Sequence, residues 1–574
     1  MNLYELFNSL AADSARSVAG FQGELALCVT IVLLLFLRIP RLTSRIDSFF
    51  VMLIGSSVAL YLAGPWRPLE QPSEIFTGLL VYDNFTVYFR TLLLAFAVLF
   101  AVFTKISGVP DRDAAPDIYA LVLGATLGMC IMASANNMLM IFLGVEMASV
   151  PSYALAGLLK GRRQSSEAAL KYAVYGAGAA GIMLYGISLI SGILGSVHLP
   201  TMAIRLAELL QPANLESGLG SDTHMVLALG GMMIMVGLAF KLSAVPFHFW
   251  CPDVFEGATA EVNAFLSVAS KAAALALLAR VAIGFGYIPA PVAAPAAPPV
   301  ETAALYNVAD PPAEAPAAAA PAENAEAKAE AAVGFAPLSN RETQIAALAP
   351  ARDFIWKLVA FIAVITCTFG NLAAYGQTNI KRLLAYSTIA QAGYMMMPVA
   401  SAMVLAGENT DGARNAISAV AFYAGAYVFM NLGAFAIVAF LRNMLHSEEI
   451  ADYAGLLHRA PITVICFCLI LVSLIGLPPL AGFFGKYQIF ASLVDAKLWF
   501  VLFIAGLNTA ISLYYYLRVV KIMTIDPEPD TRRLASMSYI PGTFVVLITA
   551  PIVILGVWPD SLNALARIAT GQLF

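Results

Sequence analysis

Apolar residues run through this chain in long blocks separated by short polar stretches. A helix needs about 20 apolar residues to cross a bilayer. Blocks of that kind lie near 23–37, 47–64, 85–106, 117–134, 137–158, 167–196, 224–250, 261–288, 353–376, 380–406, 413–441, 461–494, 498–522 and 539–559. The pattern therefore predicts an all-α polytopic membrane protein with about 14 transmembrane helices. No alternating in–out pattern supports a barrel, and lipid leaves only helices otherwise.

The polar stretches carry their own pattern. Lys and Arg gather in the odd-numbered loops: "RIPRLTSR" in the first, Lys105 and Arg112 in the third, "KGRRQ" in the fifth, Lys381 and Arg382 in the ninth. Arg442 and Arg459 follow in the eleventh, and Arg518, Lys521, Arg532 and Arg533 in the thirteenth. Short even-numbered loops hold only Arg67, Arg205, Arg414 and Lys497. Positive charge stays on the cytoplasmic side, so the odd loops are expected there and both termini outside, in a cell inner (plasma) membrane. The N-terminal "MNLYELFNSLAADSAR" has no basic stretch leading into an apolar one, so no cleaved leader is expected. One long loop is unlike the rest. Residues 289–334 contain 20 Ala and 9 Pro, too many prolines for a spanning helix. The segment 289–350 reads as a disordered extracytoplasmic insert.

Composition agrees with the spans. Of 574 residues 60% are hydrophobic and 12% charged, where a soluble domain carries about 25%. A net charge of −4 without a basic tract leaves nucleic acid out as a partner. Six cysteines lie in or beside apolar runs, and Cys466-x-Cys468 has no second pair, so no metal site is expected. No phosphate loop, nucleophile elbow, haem or iron–sulfur ligand set appears.

Against that background, charges inside the spans need a reason, because each costs roughly 2.5–3.5 kcal/mol at a helix centre. Glu146 lies mid-span in "IFLGVEMASVPSY", Lys241 in span seven, Lys271 in span eight and Lys486 in span twelve. Lys171, at the start of span six, is close enough to an interface to snorkel, and so is Lys357 in span nine. His248 in "PFHFW" fits either a proton relay or a core hydrogen-bonding role. Lys241 and Lys486 each stand beside a Pro/Gly interruption, "KLSAVPF" and "GLPPLAGFFGK". Interrupted helices survive in lipid only where protein or water meets the freed backbone, and a matched pair points to an ion or proton path. Five is an odd number of spans, so a repeat of spans 4–8 by spans 9–13 must be inverted, with helices 7 and 12 broken. Two half-channels meeting near the midplane follow. Burial favours a neutral lysine and a nearby carboxylate a charged one, so Glu146 moving relative to Lys241 would load and unload a proton.

The stretch "VPFHFWCPDVFEGATAEVNAFLSVASK" (245–271) resembles the antiporter-like subunits of respiratory complex I, most closely the subunit N branch of the bacterial NADH-quinone oxidoreductase. "NIKRLLAYSTIAQAGYMMM" (379–397), "FMNLGAFAIV" (429–438) and "GLPPLAGFFGKYQIF" (476–490) carry the same likeness, which covers nearly everything except 289–350. The resemblance implies three N-terminal helices in 1–116, a first five-helix repeat in 117–288, an inverted second repeat in 353–522, and a last helix and tail in 539–574. It implies proton translocation through Glu146, Lys241, Lys271 as the connecting residue and Lys486 on the outward path, with Lys171 matching less decisively and His248 nearby. NAD, FMN, iron–sulfur clusters and quinone would belong to other subunits, with none bound by this chain. Other antiporter-like and small membrane subunits and the lipid bilayer would be its partners. The likeness has departures: Glu261-Val262-Asn263 stands where the family often has Pro-Val-Thr, Cys251 replaces a small polar residue, and Gln391 stands where many relatives have His. A subunit of a multi-subunit sodium/proton antiporter or of a membrane-bound hydrogenase is the alternative function. A passive scaffold with the lysines as packing ions is a further one.

Overall fold

A computed structural model describes residues 3–38, 47–64, 69–111, 114–159, 161–211, 220–289, 340–529 and 539–574. Twelve helices among them are long and apolar enough to span a membrane, and two shorter apolar ones, Ser48–Leu62 and Pro461–Ile475, complete fourteen. In chain order the helices are α1 (Leu3–Ser17), α2 (Gln22–Phe36), α3 (Ser48–Leu62), α4 (Asn84–Ser107), α5 (Ala115–Ser134), α6 (Met138–Ala156) and α7 (Arg163–Leu194). Then come α8 (Leu199–Leu209), α9 (Gly220–Leu242), α10 (Trp250–Gly257), α11 (Ala260–Gly286), α12 (Arg341–Ala347), α13 (Ala349–Ala374) and α14 (Ile380–Leu405). The last are α15 (Thr410–Leu445), α16 (Pro461–Ile475), α17 (Ala481–Asp495), α18 (Trp499–Thr524), α19 (Tyr539–Val557) and α20 (Asp560–Thr570).

Local sequence explains where many spans begin. Asn137, Thr259, Asn379 and Asn409 each sit in a non-helical conformation, with a side-chain oxygen accepting a backbone N–H of the first turn. Span seven is broken as expected, α9 giving way to α10, and span twelve divides into α16 and α17. Helices α11, α14 and α15 are almost wholly buried and form the centre, with the two broken spans packed beside them.

Polar bridges between loops sort the span ends onto two faces. At one face Arg38 pairs with Asp117, Lys105 with Asp47, Lys171 with Asp253, Lys381 with Glu448 and Arg459 with Glu528. All these residues belong to odd-numbered loops or the helix ends beside them. At the other face a two-stranded hairpin, β1 (Ser73–Ile75) with β2 (Leu80–Tyr82), covers the span ends. It accepts His198 against Glu74 at 3.0 Å, and Asp13 and Ser17 of α1 receive backbone N–H groups of Thr77 and Phe76. Gln572 joins the same face through Asn84 and Leu69. Both chain ends therefore share the even-loop face, and the alternation of spans holds along the chain.

The hairpin, α8, α12 and α20 lie outside the span pattern, and α1 runs on into the first span, whose apolar stretch extends from Phe7 to Phe36. The segment expected to be an insert over 289–350 falls outside the described residues from 290 to 339. Its end departs from the expectation of disorder: Arg341–Ala347 is helical, capped by Asn340, and Ala349 opens the next span. Arg341 anchors this stretch by donating to Ile288 O at 3.0 Å and to the Tyr287 hydroxyl at 3.1 Å.

Candidate functional site

Each break exposes backbone groups that lipid would leave unsatisfied. In span seven α9 stops at Leu242, and Ser243 takes a positive φ of 55°. Trp250 Nε1 donates to Phe240 O at 3.0 Å, and Thr366 Oγ1 of α13 accepts Val245 N–H at 3.0 Å. Leu242 O, the last carbonyl of the half-helix, receives Lys271 Nζ at 2.6 Å, and Ser243 Oγ receives it at 2.9 Å. Span twelve repeats the arrangement. Gly476 holds φ at +90°, Leu474 O accepts from Gln391 Nε2 at 3.0 Å, and Ile475 O accepts from Lys486 Nζ at 2.9 Å. Lys486 also lies over the Tyr394 ring, 4.3 Å from its centre. A buried lysine Nζ thus sits on the negative end of each half-helix dipole, which favours its charged form.

This pairing refines the sequence reading. The cation that meets the broken end of span seven is Lys271 from the neighbouring span, not Lys241. Lys241 lies in the last turn before its break, whereas Lys486 lies after its own.

Lys241 is 2% exposed, and its Nζ makes no hydrogen bond within the protein. Glu146, on α6, interacts with it electrostatically without ion-pair contact, and Oε1 of Glu146 is buried and equally unpartnered. Two more orphaned polar atoms lie nearby on the same group of helices, the hydroxyls of Tyr153 and Tyr172, while Nδ1 of His248 in the break is also unpartnered, its ring 4.4 Å from that of Phe369 on α13. The two tyrosine rings meet edge-on at 4.7 Å, and Tyr172 stacks on Trp250 at 4.2 Å. An orphaned buried polar atom costs about 1–3 kcal/mol. Several together mark a place built for something other than stability. The buried carboxylate of Glu24 differs, since Arg90 meets both its oxygens and two backbone carbonyls, although Arg90 Nε has no partner of its own.

Lys171 stands apart from this group, at the odd-loop rim. It pairs with Asp253 at 2.6 Å and Glu167 at 2.8 Å, and Arg382 bridges Asp253 to Glu256. Lys357 pairs with Asp353 on an exposed helix face. The sequence reading passed over Lys381 as a loop charge. It is 3% exposed and donates to Glu256 O and Ala258 O, each at 2.9 Å, capping the end of α10. Also missed is that buried polar side chains form a ladder on α14: Thr388 meets Asn431, and Gln391, noted in the sequence only as a departure from a common His, accepts from Tyr423 OH at 2.6 Å. Uncharged polar residues at helical spacing inside a span were its only signal. All six cysteines are free. Among the described residues no three His, Cys, Asp or Glu side chains gather in a way that would hold a metal ion.

Comparison with known proteins gives this geometry a family. Residues 135–290 and 340–512 match the family described as NADH:quinone oxidoreductase/Mrp antiporter, TM. The NADH-quinone oxidoreductase subunit N of Anaeromyxobacter sp. (strain Fw109-5) is 33% identical over 96% of both chains. A chain of respiratory complex I from Thermus thermophilus with bound aureothin has a TM-score of 0.67 at 28% identity, covering 95% of this chain and 99% of its own. A chain of the Mrp complex from Dietzia sp. DQ12-45-1b has a TM-score of 0.68 at 16% identity, covering 98% of each chain, which shows a shared fold alone. On these matches, together with its two capped helix breaks, this chain belongs to the NADH-quinone oxidoreductase subunit N family.

Proposed function

We propose that this chain translocates protons as a membrane subunit of an NADH-quinone oxidoreductase, assembled with the other membrane subunits of that complex in the bilayer. Its path runs through Glu146, Lys241, Lys271 and Lys486. Residues 117–288 and 353–522 act as two inverted repeats, flanked by 1–116 and 539–574. The odd-loop face is cytoplasmic and both termini lie outside an inner membrane. NADH, FMN, iron–sulfur clusters and quinone are handled by other subunits.

Lys241 is the group loaded in the first repeat, with Glu146 as the partner that favours its charged form. Lys271 receives the proton at the broken end of span seven. Lys486 plays the same part at the end of α16, from which release to the far side follows. His248 serves as a relay in the break, and Lys171 holds the rim of the uptake side through its ion pairs.

One observation carries this reading. Lys241 Nζ and Glu146 Oε1 are buried and make no hydrogen bond within the protein, whereas the buried Glu24 carboxylate is met on both oxygens by Arg90. The test is donor-driven acidification in vesicles containing the assembled complex, normalised to complex content. Arg stays protonated in proteins. Lys241→Arg therefore keeps the charge but is expected to lower pumping at least about 100-fold, in the range of a lost acid–base group. Wild-type pumping by an assembled Lys241→Arg complex would leave the lysine as a packing ion.

A further inference from the structure

Among the described residues three acidic side chains are buried against arginines, and they are not equally satisfied. Glu24 takes Arg90 Nη1 on both oxygens at 3.1 and 3.0 Å. Asp83 takes Arg280 on both oxygens at 2.8 and 2.6 Å. Glu261, 1% exposed in the first turn of α11, has one oxygen 3.4 Å from Arg442 Nη2, and its Oε2 has no partner. The first two pairs lie toward the even-loop face, and both of their carboxylates are met on each oxygen. The third lies at the odd-loop face, and its carboxylate is held on one side only.

Solvent reaches the arginine beside it. Arg442 of α15 is 20% exposed and also reaches Asn443, so one ion pair separates Glu261 from the aqueous face. Lys381 of α14 and Glu448 of the eleventh loop complete the charged groups around it. Lys381 already spends its donors on Glu256 O, Ala258 O and Glu448, so it is not free to satisfy Glu261. Inward along α11 the next ionisable group is the buried Lys271, ten residues on and about 80° round the helix from Glu261, while Asn263 and Ser267 lie toward the far side of the helix, bonded to Phe255 O and Ala264 O. At 1.5 Å per residue, Lys271 lies about 15 Å along the helix from Glu261.

We propose that Glu261 is a proton-exchanging group at the odd-loop mouth of the path, beside the seam between the two repeats. Its carboxylate takes a proton from hydronium at the aqueous face, releasing water and loosening Arg442. It then gives that proton up inward, where a neutral Lys271 amine is the final acceptor, and the Arg442 pair reforms. This rests on the proposed translocation through Lys271.

The test compares Glu261→Gln, Glu261→Asp and the double Glu261→Gln/Arg442→Gln in the assembled complex, with donor-driven acidification followed across pH and Lys241→Arg run in parallel. Glu261→Gln keeps the shape but carries no proton, and pumping is expected to fall at least about 100-fold, as for a lost acid–base group. Glu261→Asp is expected to restore most of it, and the double variant to remain impaired. Undiminished pumping in Glu261→Gln, or recovery in the double variant, makes the pair a structural bridge and overturns the proposal. Failure of both Gln variants to assemble overturns it as well. The parallel variant separates the two readings: if Lys241→Arg loses pumping while Glu261→Gln keeps it, only the role of Glu261 is lost. If Lys241→Arg pumps normally, the translocation path itself is wrong.

Discussion

Adding one methyl group at Gly482 would test whether the break in span twelve must hold its geometry. Gly482 lies in the first turn of α17, and its N–H donates to Ser473 Oγ at 3.0 Å. A Cβ there would stand 1.8 Å from Ser473 O, where real Cβ atoms essentially never come closer than 3.0 Å. The obstacle is backbone, not a flexible side-chain end. A close-packed interior cannot absorb that overlap, so the two half-helices must part by about 1.2 Å. Such overpacking costs typically about 1–3 kcal/mol. Its functional cost is larger, because Lys486 is on one half and the carbonyl it meets, Ile475 O, is on the other. A misplacement of about 1 Å costs on the order of 100-fold where chemistry depends on alignment. Gly482→Ala is therefore expected to lower donor-driven acidification by about two orders of magnitude per assembled complex. Gly506→Ala, where a Cβ meets nothing within 4 Å, serves as the control. If Gly482→Ala assembled and pumped like Gly506→Ala, the rigid-break argument would be refuted.

Other perturbations follow from the same geometry. Arg280→Ala strands the buried Asp83 carboxylate and is expected to destabilise the protein by about 3–5 kcal/mol, read as loss of complex in a thermal ramp on native gels. The double Asp83→Ala/Arg280→Ala should recover much of it, and equal losses in both would contradict the pairing. At the even-loop face, burial opposes the charge on Glu74, but hydrogen bonds from His198 and Asn136 hold its carboxyl below its ordinary value of 4.5. A carboxyl lowered by folding stabilises above its unfolded pKa and loses that contribution as pH falls through the folded one. The hairpin should therefore be unchanged at neutral pH and loosen only below the usual Glu range, which amide hydrogen exchange near Asn136 would report; loosening around neutrality would contradict it. For orientation, Lys497→Cys should react with an impermeant thiol reagent in intact spheroplasts and Arg162→Cys only after lysis, and the reverse order would invert the protein.

Much of the architecture was legible before any coordinates. Fourteen apolar blocks, the odd-loop bias of Lys and Arg, and the "KLSAVPF" and "GLPPLAGFFGK" interruptions each correspond to structure, because span length and backbone satisfaction in lipid are local demands. The terminal helices α1 and α20 and the hairpin escaped notice, since short polar-faced elements leave little trace among such apolar runs. Lys171 was ambiguous for a related reason. Its place at the rim depends on Asp253, 82 residues away, and no local pattern marks that partner.

The sequence by itself determined that this chain crosses the membrane many times, which spans break, and which charges are anomalous there. Those facts follow from transfer costs that each segment meets alone. Only the tertiary structure decided what each charge touches. It set Lys271 rather than Lys241 on the end of α9, left Lys241 and Glu146 unpaired, and made Lys381 a cap for α10. It also tied Glu24 and Asp83 down on both oxygens while holding Glu261 on one. The physical reason is that satisfaction of a buried polar atom is a relation between helices distant in sequence, at hydrogen-bond range, and composition along one helix does not contain it.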